Sequence, residues 1–283
     1  MFYVQNVGEI KVKSHRSLPD GVDPARSSKE KGCGIKHVVL QRQGNRWYVC
    51  LMLEAPDPEL APHPHKPVVG LDMGLHWLLA FSNGDVLANP RWLRAEQAKL
   101  RRLQRQVARR KKGSTRRRKA AALVARQHER IANRRRDFWH KGTFDLVNRF
   151  GVIALEDLSL SFMTCNHHIT LSAHDAGLGE FQQLLAYKAE EAGTAVVTVN
   201  PANTSQMCSA CGANVKKGLS VRVHRCPHCG LEMDRDVNAA QNVLKRARMD
   251  FPALFEEPEP ARTGRPRHNV GRWAERALGS SPL

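Results

Sequence analysis

Long apolar runs are missing from this sequence. None of its 283 residues lies in a stretch approaching the roughly 20 apolar residues that cross a bilayer. The opening MFYVQNVGEIKVK lacks the basic-then-apolar layout of a secretory signal. A cytoplasmic protein with no membrane partner is expected. Acidic residues are nearly absent from one long segment: between Arg91 and Arg136 there are 19 Lys or Arg against two Glu, in a chain of formal charge +18. Mixed charges with i,i+4 Glu–Lys pairs would mark an ordinary solvated helix surface; one-signed charge of this density marks a partner that is a polyanion, a nucleic acid. An even set of disulfide-forming cysteines is missing too. Seven cysteines are an odd number, and in a reducing compartment the two CxxC pairs among them argue for metal thiolates. Cys33, Cys50 and Cys165 stand alone and read as packing or surface residues.

With 41% hydrophobic side chains the chain can bury one sizeable core and one or two small satellites. Residues 1–60 alternate apolar and polar positions at IKVK (10–13) and at HVVLQRQGNRWYVCLMLE (37–54), short antiparallel strands with a hairpin turn at Gly44-Asn45. APHPHKP (61–67) reads as a linker, and His63 and His65 as solvated linker histidines. VVGLDMG opens an α/β core with a buried strand ending in Asp72, and HWLLAFSNGDVLA continues it. Residues 90–149 are helix-forming, with a break at 111–115 where Ser114 or Thr115 can cap the second arm. That is an antiparallel helical hairpin with a narrow apolar seam of Leu93, Leu100, Leu103 and Val107 in one arm and Leu123, Val124 and Ile131 in the other. GVIALEDL (151–158) and AVVTVNP (195–201) are further buried strands. LGEFQQLLAYKAEEAG (178–193) is a helix stopped by Gly193, and DRDVNAAQNVLKRARM (234–249) a helix with acidic start and basic end. Residues 251–283 read as a loose tail rich in Pro, Gly and charge.

Cys208-x-x-Cys211 and Cys226-x-x-Cys229, each followed by a Gly, offer the four-sulfur tetrahedron that Zn2+ favours; with no open position the zinc is structural. His224 and His228 lie close by, as neighbours more than ligands. Asp72 and Glu156 end strands and Asp236 begins a helix. If the two strands adjoin in one sheet the three acids meet, and such oxygen ligands suit Mg2+ or Mn2+. Each acid alone is equally well read as an ordinary strand-end or cap residue.

The blocks VVGLDMG, IALEDL, NPANTSQMCSACG and CPHCGLEMDRDVNAAQN, in this order, resemble those of the TnpB (OrfB) family of transposon-encoded, RNA-guided DNA endonucleases, which are related to the type V CRISPR effectors. The resemblance runs from about Gly8 to Leu244 and includes the basic hairpin. It implies a RuvC/RNase H-like mixed sheet with an inserted basic helical hairpin (90–149) in a nuclease core (68–199). A four-cysteine zinc ribbon (200–231) and a final RuvC-like segment (232–250) follow. Carried over, the catalytic residues fall on Asp72, Glu156 and Asp236, with Asp236 preferred to Asp234, and the ribbon ligands on Cys208, Cys211, Cys226 and Cys229. DNA and guide RNA are the implied partners, held through Arg101, Arg105, Arg109, Arg110, Lys111, Lys112, Arg116, Arg117, Arg118, Lys119, Arg134 and Arg135. The implied reaction is two-metal hydrolysis of a phosphodiester, with Asp72 bridging the ions. The first 60 residues resemble only the last strands of the family's N-terminal β-barrel, without its recognition lobe. That makes a separately encoded lobe or a transposase an expected partner, and a non-catalytic nucleic-acid-binding protein or an inactive remnant the alternative.

Overall fold

The computed structural model describes residues 2–4, 8–13, 34–43, 46–53, 66–158, 170–218 and 220–255. The turn at Gly44-Asn45, His63 and His65, Cys33, Cys165 and the tail beyond residue 255 lie outside the described residues. The chain divides into two compact units, Met1–Glu59 with Leu103–Glu129, and Leu60–Arg102 with Arg130–Leu283.

In the first unit β1 (Phe2–Val4) pairs antiparallel with β2 (Gly8–Ile10), and β3 (Ile35–Gln43) with β4 (Arg46–Leu53). The alternation at 10–13 predicts a strand there, but β2 stops at Ile10, whose partner Phe2 starts the three-residue β1. Lys11–Lys13 pairs with no strand among the described residues. The segment 103–129 carries the junction of two helices, α1 (Trp92–Ala108) and α2 (Thr115–Arg149). Ser114 Oγ accepts the Arg117 amide at 3.2 Å and caps α2, as the break in the sequence predicts. Arg117 turns back to donate to the Val107 and Arg110 carbonyls at 3.0 and 3.1 Å, satisfying orphan groups at the end of α1. The seam differs from expectation at Leu123, which is exposed, whereas Ala120, Gln127 and Ile131 are buried and Val124 half-buried. Their 4-3-4 spacing follows one helix face, and Leu123 lies about 100° round from Val124.

The second unit is built on a five-stranded mixed sheet of order β7-β6-β5-β8-β9. It comprises β5 (Val68–Met73), β6 (Trp77–Phe81), β7 (Val86–Ala88), β8 (Val152–Glu156) and β9 (Ala195–Val199). Strands β5 to β7 form an antiparallel meander, whereas β5, β8 and β9 run parallel. Strict alternation sends Val69, Leu71, Met73, Ile153 and Leu155 to one face. There they pack with Phe138, Trp139, Leu146 and Val147 of α2, with Phe150 just beyond it, and with Phe181 and Leu185 of α4 (Leu178–Ala192). Trp139 is fully buried, its indole donating to the Ala176 carbonyl at 2.9 Å at the end of α3 (Thr170–Ala176). Gly193, at φ 64°, ends α4 as the sequence predicts. Asp175, from α3, accepts the Leu93 and Arg94 amides at 2.8 and 3.4 Å and caps the start of α1.

The other face holds α5 (Arg235–Asp250), whose Val243 and Ala247 pack on Ala154, Val197 and Val199. At Gly70 the helix lies directly on β5: an added Cβ would stand 2.3 Å from the Ala240 carbonyl oxygen and 2.8 Å from Leu244. The obstacle is backbone, so it cannot be relieved by a rotamer change. Gly70→Val should destabilise the protein by about 3 kcal/mol, at the upper end of the range for overpacking. Thermal unfolding followed by circular dichroism checks this, and an unchanged midpoint would mean that the helix does not sit on the strand.

Candidate metal centres

The same alternation positions the acids. Gly70 and Ala154 are paired neighbours on the α5 side of β5 and β8, and two residues further along each strand come Asp72 and Glu156, again on that side. Their side chains stand together at the carboxyl ends of adjacent parallel strands. Small residues beneath them let α5 come close, and its first turn brings in Asp236. Asp234 is occupied otherwise. It is the N-cap of α5, its carboxylate accepting the Asp236 and Val237 amides at 2.8 and 3.2 Å, and the Trp77 indole reaches it at 3.5 Å.

The electrostatics register the crowding. Asp72 is pushed well above the usual carboxylate range, by burial first and then by Glu156 and Asp236. Burial also raises Glu156, against the hydrogen bond from Thr204 and the charge of Arg246. Asp236 is raised by burial and by Asp234, against Arg222 and Arg235, and Arg222 lies 3.7 Å from it. Acids this close resist common ionisation, and a divalent cation relieves them. Among the described residues the four cysteines are the one set of three or more His, Cys, Asp or Glu side chains placed to hold a metal ion, their ligand atoms all within 4.8 Å of one another; Asp72, Glu156 and Asp236 do not form such a set.

Both cysteine pairs sit in tight turns. Gly212 and Gly230 return their amides to the Cys208 and Cys226 carbonyls at 2.9 and 3.0 Å, each with φ near +75°, a conformation glycine adopts without strain. The sulfurs of Cys208 and Cys229 are 3.6 Å apart, as are those of Cys211 and Cys226. Ligands 2.3 Å from a tetrahedral zinc stand about 3.8 Å from one another, so the cluster fits that ion. Burial works to raise the Cys226 thiol, yet the Cys229 and His228 amides and neighbouring sulfurs bring it to about 6. Cys229, although the Leu231 amide favours its thiolate, is pushed up to about 12 by burial and the other three sulfurs. Four anions do not share this space without a cation. His224 is fully buried, its Nδ1 bonded to Lys217 Nζ and its Nε2 without a partner among the described residues; neither it nor the exposed His228 belongs to the sulfur cluster.

Of the cationic residues singled out in the sequence, Arg101, Arg105, Arg109, Lys111, Lys112, Arg116, Arg118, Lys119 and Arg134 are exposed, whereas Arg110, Arg117 and Arg135 are half-buried. Five have partners in the fold: Arg110 donates to the Arg116 carbonyl at 2.6 Å and Arg118 to Thr115 Oγ1 at 3.3 Å. Arg117 caps α1, Arg134 pairs with Glu96 at 3.3 Å, and Arg135 holds Glu180 at 3.4 Å and the His174 carbonyl at 2.9 Å. Sequence reasoning missed a second layer. Asn238, Gln241, Asn242, Lys245 and Arg246 form one polar face of α5 and grip the backbone or side chains of Asn200–Ser209. Their i, i+3, i+4, i+7, i+8 spacing is the signal that could have found them.

The mixed sheet thus carries Asp72 and Glu156 at its strand ends, and a four-cysteine cluster precedes α5. Residues 49–166 match the family described as "Probable transposase" (OrfB_IS605), and residues 179–243 the family described as "Cas12f1-like, TNB domain". A Streptomyces pristinaespiralis protein named "Putative RNA-guided DNA endonuclease" is 33% identical over 96% of this chain and 65% of its own length. The Escherichia coli K12 protein "Putative RNA-guided DNA endonuclease InsQ" is 33% identical over 85% of this chain and 63% of its own. A solved structure described as "Cryo-EM structure of CRISPR-Cas12f Ternary Complex" aligns with 20% identity and a TM-score of 0.48, over 70% of this chain and 42% of that one. These matches support the reading of the chain as a TnpB (OrfB) family member. The chain spans just under two thirds of the length of these two relatives. Among the described residues no helix is long and apolar enough to cross a membrane.

Proposed function

We propose that this chain is the nuclease part of an RNA-guided DNA endonuclease, with Asp72, Glu156 and Asp236 as ligands of catalytic Mg2+ or Mn2+. The observation that carries the reading is the convergence of Asp72 and Glu156 on neighbouring parallel strand ends beneath the turn of α5 that bears Asp236. The relatives' names point to the same reaction. Divalent ions held there would activate water for in-line attack on a phosphodiester and stabilise the leaving 3′-oxygen. The sheet and α5 fix the acids before substrate arrives, which limits the reorganisation that the reaction requires. The cysteines hold a structural Zn2+. On this reading the sheet of β5–β9 with α5 is a RuvC/RNase H-like core spanning 68–199 and 232–250, the ribbon covers 200–231, and β1–β4 are strands of a partial β-barrel.

DNA and guide RNA are the proposed partners, with base pairing choosing the target and the exposed cations of 101–119 holding phosphates without reading sequence. The test is cutting of a labelled DNA that matches a supplied guide, by this chain alone and with the unmatched part of a longer relative added. Guide-dependent binding without cutting in either arm would make the chain a guided repressor or accessory factor. Replacing Arg116, Arg118 and Lys119 by Gln, while sparing the capping Arg117, should weaken binding to all nucleic acids alike. The slope of log affinity against log salt should fall by about 2–3; unchanged affinity at low salt would return these residues to the solvated surface.

A further inference from the structure

Glu156 is buried at the end of β8, and the group that orients it comes from another part of the chain. The hydroxyl of Thr204, itself buried, donates to Glu156 Oε1. We infer that Thr204 is a positioning residue for the divalent-ion site, holding the Glu156 carboxylate in the orientation in which it ligates a cation. The inference rests on the proposed role of Glu156.

Thr204 is well placed for this. It belongs to the segment between β9 and the first cysteine pair, and that segment is fastened at both ends to α5. Arg246 donates to the Asn200 and Ala202 carbonyls. Asn242 donates at 2.7 Å to the carbonyls of Thr204 itself and of Met207. Asn238 donates to Met207 at 2.7 Å and accepts the Ser209 amide at 2.9 Å. The Thr204 backbone is thus fixed by the same helix that carries Asp236, so the hydroxyl joins two of the three proposed ligands through one rigid element. The hydroxyl has a single hydrogen and two acceptors within reach, Glu156 and the Pro201 carbonyl at 2.9 Å. A carboxylate is the stronger acceptor, so the hydrogen goes to Glu156 when that side chain is ionised. One oxygen of Glu156 is then engaged and the direction of its free lone pairs is set. Hydrogen-bonded support of this kind typically changes metal affinity by about 10–100-fold.

The experiment is Mn2+ titration of the zinc-loaded full chain, followed by electron paramagnetic resonance, without substrate. Thr204→Val keeps the shape and removes the hydroxyl; Thr204→Ser restores it. Asp72→Ala serves as the control for the site. Thr204→Val should bind Mn2+ at least about 10-fold more weakly, while Thr204→Ser stays within about 3-fold of the wild type. Zinc content and melting temperature, measured on the same samples, should match the wild type closely enough to exclude general loosening. Equal Mn2+ affinity in wild type and Thr204→Val would overturn the inference while leaving the ion site standing. So would a weakening that Thr204→Ser shares or that follows loss of zinc. Wild-type protein that binds Mn2+ no better than Asp72→Ala would instead overturn the ion site itself.

Discussion

Asp72→Ala, Glu156→Ala and Asp236→Ala should each reduce guided DNA cutting by at least about 1,000-fold, while guide binding stays within about 2-fold of the wild type. The first number follows from losing a ligand of the ions that activate water, a change of several kcal/mol in the transition state. The second follows because the exposed cations of 101–119 are untouched. Asp234→Ala is the informative contrast. It removes the cap that accepts the Asp236 and Val237 amides and should cost about 1 kcal/mol of stability, with cutting reduced far less than in Asp236→Ala. Cleavage gels beside filter binding and thermal melts for the four variants separate these effects. A dead Asp234→Ala with an active Asp236→Ala would exchange the roles of the two acids.

Loss of zinc should be nearly as disruptive. Cys226→Ser leaves three sulfurs where four lie within 4.8 Å of one another, and a segment of this size has too few apolar residues to close without its metal. Zinc should fall from about one per chain to near zero. Hydrogen exchange should rise from Asn200 to Asn238, because Met207 and Ser209, on either side of Cys208, are the residues that Asn238 and Asn242 hold. The core of β5–β9 should keep its protection, since its apolar contacts do not include the ribbon. A folded wild-type preparation without zinc by elemental analysis would contradict the assignment.

Much of this was legible in the sequence wherever a local pattern decides the outcome. VVGLD and VIALE announce buried strands with an acid at the end, Gly193 announces a helix stop, and the paired CxxC turns announce a sulfur cluster. What brings Asp236 up to Asp72 and Glu156 was less visible. It depends on Gly70 and Ala154, two small residues whose value lies in letting α5 approach. Contacts between distant parts of the chain were not legible at all. Thr204 meets Glu156 across 48 residues, and Asp175 caps α1 from 82 residues away; neither leaves a periodic trace. Leu123 misled because apolar character was read without its angle on the helix. The arginines misled in another way, since charge density does not reveal that Arg117 and Arg135 are engaged by backbone carbonyls.

On the proposed function, Asp72, Glu156 and Asp236 form a divalent-ion site that cuts DNA chosen by a guide. This is tested most directly by mapping the ends left on a labelled, guide-matched target with and without added magnesium. Cutting at the matched site only when magnesium or manganese is present, leaving a 3′-hydroxyl and a 5′-phosphate, is the predicted result. No cutting with metal, guide and the unmatched part of a longer relative supplied, or cutting that needs no divalent ion, would contradict it.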